Sequence, residues 1–229
     1  MKQTEITPEI FQLTRFGLVN CFLVREDDGL TLVDTMVSGS ANAIVHAVHT
    51  LNRRLRRILL THVHADHVGS LDALADSFVG IEVAVGRRES RLLTRDFRTE
   101  PGEPTDKIRG AFTKIATIPS MLLSEGEQYG SLRVIATPGH TPGHLAFFDE
   151  RSGTVIAGDA LVAVGGLRIP GDCSAVFPLP NWGTWHKPTA VESAGKLLAV
   201  EPRRIVMGHG RPVIENAVQR LKDAIRHAE

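Results

Sequence analysis

Residues 57–69 read RILLTHVHADHVG and place four metal-capable side chains, His62, His64, Asp66 and His67, within six positions. Imidazole and carboxylate are ligands for Zn2+ and related divalent ions, and four of them at this spacing point to a metal site. The apolar run at 58–60 reads as a short buried strand, and an apolar helical pattern follows from Leu71. The candidate ligands therefore fall where a strand turns into a helix. In an extended segment His62 and His64 face the same way, because side chains alternate with period two. Asp66 and His67 follow in the turn and can approach a second point nearby.

Three later stretches share one local design, an apolar strand that ends in a glycine-flanked ligand. VIATPGHTPGH (residues 134–144) offers His140 and His144, TVIAGDA (154–160) offers Asp159, and RIVMGHG (204–210) offers His209. Glycine beside each ligand lets the backbone turn sharply and lets an ion come close. Asp34, closing the strand-like LTLVDT, reads equally as a turn residue or as a group beside the metals.

The elements that must position these side chains are readable in outline. Residues 10–13, 18–24 and 30–34 read as strands, the last two joined through the turn Glu26-Asp27-Asp28-Gly29. Ser40 precedes a helical pattern through Leu51, in which His46 and His49 have no assigned role, and NRRLRR closes that helix as a solvated basic end. A helix at 71–78 and a strand at 81–85 begin a β/α alternation. Residues 86–128 read as charged helical patterns around the break TEPGEPT, an insertion or lid over the site. Strands at 132–136, 145–148 and 154–157 follow, then a loop at 164–187 that holds Phe177, Trp182 and Trp185. A helix opening at Pro188, a strand at 204–207 and a last helix from about 213 close the chain. Strand sets followed by βα units in both halves predict an α/β (α+β) fold, with two packed sheets and helices outside, in one domain over residues 1–229.

Composition removes several function classes. Hydrophobic residues at 42 % and charged residues at 23 % suit a soluble globular chain of 229 residues. Twenty-six basic residues offset twenty-six acidic ones, so no net field draws the protein to nucleic acid or to an anionic membrane. The opening MKQTEITPEIFQL lacks the apolar core of a secretory signal and no run is long enough for a membrane span, so a cytoplasmic protein is expected. Cys21 and Cys173 cannot build a disulfide framework and read as small buried hydrophobes.

Asp34, THVHADH, PGHTPGH, AGDA and MGHG, in this order over residues 34–210, resemble the landmarks of the metallo-β-lactamase superfamily. The resemblance implies an αββα sandwich, two mixed β-sheets packed face to face with helices on both outer faces, and a dinuclear centre between the sheet edges. It also implies that His62, His64 and His140 bind a first metal, that Asp66, His67 and His209 bind a second, and that Asp159 bridges them. His144 matches a recurrent position that does not ligate, and Asp34 a structural aspartate beside the site. This donor set suits two Zn2+ per chain, with Fe or Mn as the other candidates. Two ions about 3.5–4 Å apart can share a hydroxide and clamp an oxygen that develops charge, which is hydrolysis of an ester-like bond. Asp66, a ligand near that hydroxide, is expected to hold and deliver the proton as the catalytic residue.

Departures from the better-known branches narrow this reading. The resembling β-lactamases generally lack a carboxylate at the Asp159 position. Glyoxalase II enzymes typically add a helical C-terminal portion, whereas this chain ends soon after His209. Acyl-homoserine lactonases carry a tyrosine where Val162 stands here. The chain is most similar to compact, glyoxalase-II-like hydrolases. The expected activity is cleavage of an ester, thioester or lactone in a small-molecule substrate, by a monomer or homodimer. Phe177, Trp182 and Trp185 are read either as pocket walls or as the packing of a long loop, and Arg168 as a surface residue. The alternatives are a mononuclear-iron enzyme of the sulfur dioxygenase type and β-lactamase activity.

Overall fold

Period-two alternation divides the strand side chains between layers. On β3 (Val19–Glu26), Phe22 and Val24 face one apolar layer while Cys21 and Leu23 face another. On β5 (Leu55–Leu60), Leu59 joins the first layer and Ile58 and Leu60 join the second. The first layer is the seam between two sheets. In a computed structural model that describes residues 1–172 and 177–229, one sheet holds seven strands in chain order. They are β1 (Lys2–Glu5), β2 (Ile10–Arg15), β3, β4 (Gly29–Val33), β5, β6 (Glu82–Gly86) and β7 (Met121–Leu123). Pairing is antiparallel through β4 and parallel from β4 to β7. The other sheet is β8 (Gln128–Tyr129), β9 (Leu132–Ala136), β10 (Leu145–Asp149), β11 (Thr154–Ile156) and β12 (Arg204–Val206), antiparallel through β11 and then parallel.

Helices cover both outer faces. α1 (Ala41–Thr50), α3 (Leu71–Ser77) and α4 (Glu89–Leu93) bury Ile44, Val48, Leu74 and Leu92 on the first sheet. α6 (Lys187–Ala199) and α7 (Ala217–Ala228) bury Ala194, Leu197 and Leu221 on the second. The fold is thus the αββα sandwich. Each large aliphatic side chain buried in these layers contributes about 1.5–3 kcal/mol.

Several boundaries depart from the sequence reading. β1 was not foreseen. Residues 94–120 form no helix: Pro101, Gly102, Pro104, Gly110 and Pro119 break the pattern into stretches of at most about two turns, and the segment ends by supplying β7 to the first sheet. Two short helices, α2 (Ala65–Val68) and α5 (Leu179–Gly183), occupy stretches read as turn or loop. The last helix starts later than expected because Val213 pairs with Ile205 before α7 begins. Cys21 is a buried core residue, and Cys173 lies outside the described residues. Among the described residues no helix is long and apolar enough to cross a membrane.

Candidate metal centre

β9 and β11 run the same way because both are antiparallel to β10, and β12 is parallel to β11. Their C-terminal ends meet those of β4 and β5 across the seam. His62 and His64 follow β5, Asp66 and His67 lie on α2, and His140, Asp159 and His209 follow β9, β11 and β12. The structure gathers all seven into three overlapping groups: His62 with His64 and His140, His62 with His67 and Asp159, and Asp66 with His67 and His209. Within each group the candidate ligand atoms lie within 4.8 Å of one another.

Hydrogen bonds behind the rings settle which nitrogens face inward. The Arg109 carbonyl can only accept, so His64 donates Nε2–H to it at 3.0 Å and turns the Nδ1 lone pair inward. Thr184 spends its hydroxyl proton on the Pro180 carbonyl, so it accepts Nδ1–H from His140 at 3.2 Å and leaves Nε2 free. These two lone pairs, His64 Nδ1 and His140 Nε2, face each other at 3.0 Å. Two acceptors so placed repel unless a cation sits between them. Thr61 donates to Asp34 Oδ2 and accepts Nδ1–H from His62, while His67 donates Nδ1–H to the same Asp34 oxygen at 2.8 Å. His62 Nε2, His67 Nε2 and Asp159 Oδ1 are then buried without a hydrogen-bond partner. Inward-facing lone pairs and orphaned buried atoms at one point are the donor arrangement of a divalent metal site.

The two halves of this centre differ electrostatically. Burial, reinforced by neighbouring imidazoles, holds His62 and His140 well below the ordinary histidine range. Burial opposes charge on His67 as well, yet the Asp159 and Asp34 carboxylates outweigh it and hold that ring well above the range. His209 follows the same pattern. Its Nε2 lies 3.1 Å from Asp66 and 3.3 Å from Asp159, which lift it to about 9 against burial. Asp66 and Asp159 are pulled below the usual carboxylate range by these same rings, although burial pushes them the other way.

Four buried polar side chains hold the ligand-bearing loops. Asp34, at φ +62°, takes Thr61 N–H and the Thr61 hydroxyl besides His67, so it serves the centre as well as the turn. Burial drives His144 down to about 3; as a neutral ring it donates to Thr137 and accepts the backbone N–H of Asp159 at 3.0 Å. Two others were missed in the sequence. Glu89 on α4 accepts from Val63 N–H, Gly143 N–H and the Thr141 hydroxyl, and so ties the loop of His62 and His64 to that of His140. Burial pushes this carboxyl up to about 7 despite three donors. Asn20 on β3 donates to the Met207 and Gly210 carbonyls and so fixes the His209 turn. The only signal for Asn20 was a polar residue inside the apolar strand LVNCFLV, and Glu89 had none.

Glycine is required where backbone crowds the centre. A Cβ on Gly208 would meet Asp159 Oδ1 at 2.3 Å, and one on Gly110, at φ +118°, would meet His64 Nε2 at 2.0 Å. Gly110 belongs to the irregular segment, which is pinned over the site by Ala65 N–H on the Ala111 carbonyl and by Asp72 on Ala116 and Thr117. Phe177 and Trp182 line the cavity above the ligands, whereas Trp185 is buried and donates Nε1–H to the Asp106 carbonyl as a strut. Arg168 lies outside the cavity lining, in a short bridge with Val162.

Fold and site together define a metal-dependent hydrolase. The chain belongs to the metallo-beta-lactamase superfamily, whose pattern matches residues 14–209. It is 43 % identical over 224 residues to Bacillus subtilis (strain 168) protein YobT, with 96 % of each chain covered. It is 30 % identical over 210 residues to the probable metallo-hydrolase YflN of the same organism, covering 83 % of this chain and 79 % of that one. The crystal structure of DIM-1 metallo-beta-lactamase superimposes with a TM-score of 0.71 at 19 % identity, over 100 % of this chain and 98 % of that one, a likeness of fold.

Proposed function

We propose that the protein is a dinuclear-metal hydrolase of an ester, thioester or lactone, with zinc as its ion and iron or manganese as the other ions its donor set fits. The observation that carries this reading is the position of Asp159 between the two outer groups. Its Oδ2 lies 3.5 Å from His140 Nε2 and 3.3 Å from His209 Nε2, while Oδ1 lies 3.4 Å from His67 Nε2. One carboxylate in reach of both groups supports two adjoining ion sites sharing a ligand. His62, His64 and His140 hold one ion, Asp66, His67 and His209 the other. When bound, such a pair lowers the pKa of a shared water and polarises a carbonyl.

The chain's own residues do the rest. The apolar cavity walls, once a substrate covers them, would exclude bulk water and strengthen each charge interaction beneath them. Asp66 is the most exposed of the seven, with 36 % of its side chain open, and it lines the cavity. It takes a proton at a carboxylate oxygen during attack and returns it to the leaving atom.

Elemental analysis of the purified protein, with turnover measured on an aryl ester, a thioester, a homoserine lactone and a cephalosporin, tests this. Two ions per chain and cleavage of an ester, thioester or lactone are expected. One iron per chain with oxygen consumption would replace this reading with a dioxygenase, and cleavage of the cephalosporin alone with a β-lactamase. An Asp66→Ala protein that keeps both ions and near-normal turnover would remove the proton role.

A further inference from the structure

We infer that the cavity takes an uncharged substrate with an apolar acyl chain and turns away anionic conjugates, an inference that rests on the hydrolase reading above. The cavity measures about 710 Å3, within the range of small-molecule sites. Its ionisable lining residues are confined to the floor, where His64, Asp66, His140, Asp159 and His209 form part of the centre. No lysine or arginine lines it among the described residues. Arg109 and Lys114 are neighbours in the chain of the lining residues Gly110 and Thr113, yet neither belongs to the lining. A substrate carboxylate or phosphate held against the apolar walls, away from the ions of the floor, would lack the arginine or lysine partner that normally offsets its desolvation.

The walls supply the complementary half of the argument. Phe177, Leu179, Pro180, Trp182, Leu18 and Val37 supply apolar lining. Trp182 is 66 % exposed and Leu179 57 % exposed, both on the short helix α5 at the cavity mouth. Large apolar side chains left open beside a site are covered by an apolar ligand rather than by packing within the fold.

The test uses metal-loaded protein and p-nitrophenyl esters from acetate to octanoate, with the mono-ester of adipate set against hexanoate to add one carboxylate at equal length. Expected is a kcat/KM that climbs by up to about fourfold per methylene and falls at least about thirtyfold for adipate. Trp182→Ala is expected to flatten the chain-length slope. A readout without turnover is the emission of Trp182: 2-decanone shifts it to the blue and glutathione does not, and Trp182→Phe removes the shift. A flat or falling series, or adipate cleaved as fast as hexanoate, overturns this inference and leaves the hydrolase reading standing. Absence of cleavage for every ester by zinc-, manganese- and iron-loaded protein, with the ketone still bound, overturns the hydrolase reading and the substrate assignment with it.

Discussion

His62, His64 and His140 meet as three imidazoles, whereas Asp66, His67 and His209 meet as two imidazoles and a carboxylate, with Asp159 in reach of both groups. The rings of the first group give their outer N–H to neutral oxygens, on Thr61, Arg109 and Thr184. His67 instead gives its outer N–H to the buried carboxylate of Asp34, and His209 faces Asp66 and Asp159. Neutral partners leave burial to dominate, so the first group is deprotonated and ready for an ion. Carboxylate partners outweigh burial, so the second group must lose protons first. In a buried centre the groups around a ligand decide its proton as much as the ligand type does.

The largest effect is expected where the halves join. Asp159→Ala should lower kcat/KM by about 10^4-fold and reduce bound metal below two ions per chain, measured by turnover and elemental analysis. Retention of activity within tenfold would mean that the halves do not work through Asp159. Zinc uptake by metal-free protein should separate the halves by pH. His209, lifted to about 9, keeps a proton that competes with the ion below that pH, and His67, also held above the ordinary histidine range, adds a second, so affinity at that half should fall by up to about 100-fold per unit as pH drops. Uptake at the three-imidazole half should stay nearly flat over the same range. Parallel pH profiles in competition with a chromophoric chelator would erase the contrast.

Smaller effects sharpen it. Asp34→Asn places an amide N–H2 against either Thr61 N–H or His67 Nδ1–H, so affinity should fall by about 10–100-fold in the Asp66–His67–His209 half and by less in the other half, which Asp34 reaches only through Thr61 and His62. Equal loss at both halves would show that Asp34 acts on the whole fold. Glu89→Gln sets one amide against backbone donors at Val63 or Gly143 and should cost about 1–3 kcal/mol in denaturant unfolding. The pH profile of the carboxylate-rich half should not move in this variant.

The walls and the floor were unequally legible in the sequence. The seven floor residues stand out because four crowd into THVHADH and the other three, His140, Asp159 and His209, each follow a strand beside glycine, patterns local enough to read along the chain. The two-sheet, helix-covered fold was readable in outline from strand sets followed by βα units in both halves, whereas the layer each strand residue faces on β3, β5 and β10 is set by the packed sheets. Residues 94–120 were not readable. Their apolar residues hinted at helix, but Pro and Gly prevent it, and their position depends on bonds from Ala65 and Asp72. The three loop aromatics could not be sorted either: Trp182 and Trp185 are three residues apart, yet one is open to the cavity and the other is a core strut.

The sequence by itself determined the chemistry available at the strand ends and the layered architecture, because both follow from residue type and short-range periodicity. Only the tertiary structure decided which nitrogens face inward, which rings hold protons, and what covers the floor. Asn20 reaches the Met207 carbonyl across 187 positions of chain, and Glu89 joins loops separated by about eighty. Contacts of that span leave no periodic trace in the sequence, because they arise only once the two sheets have packed.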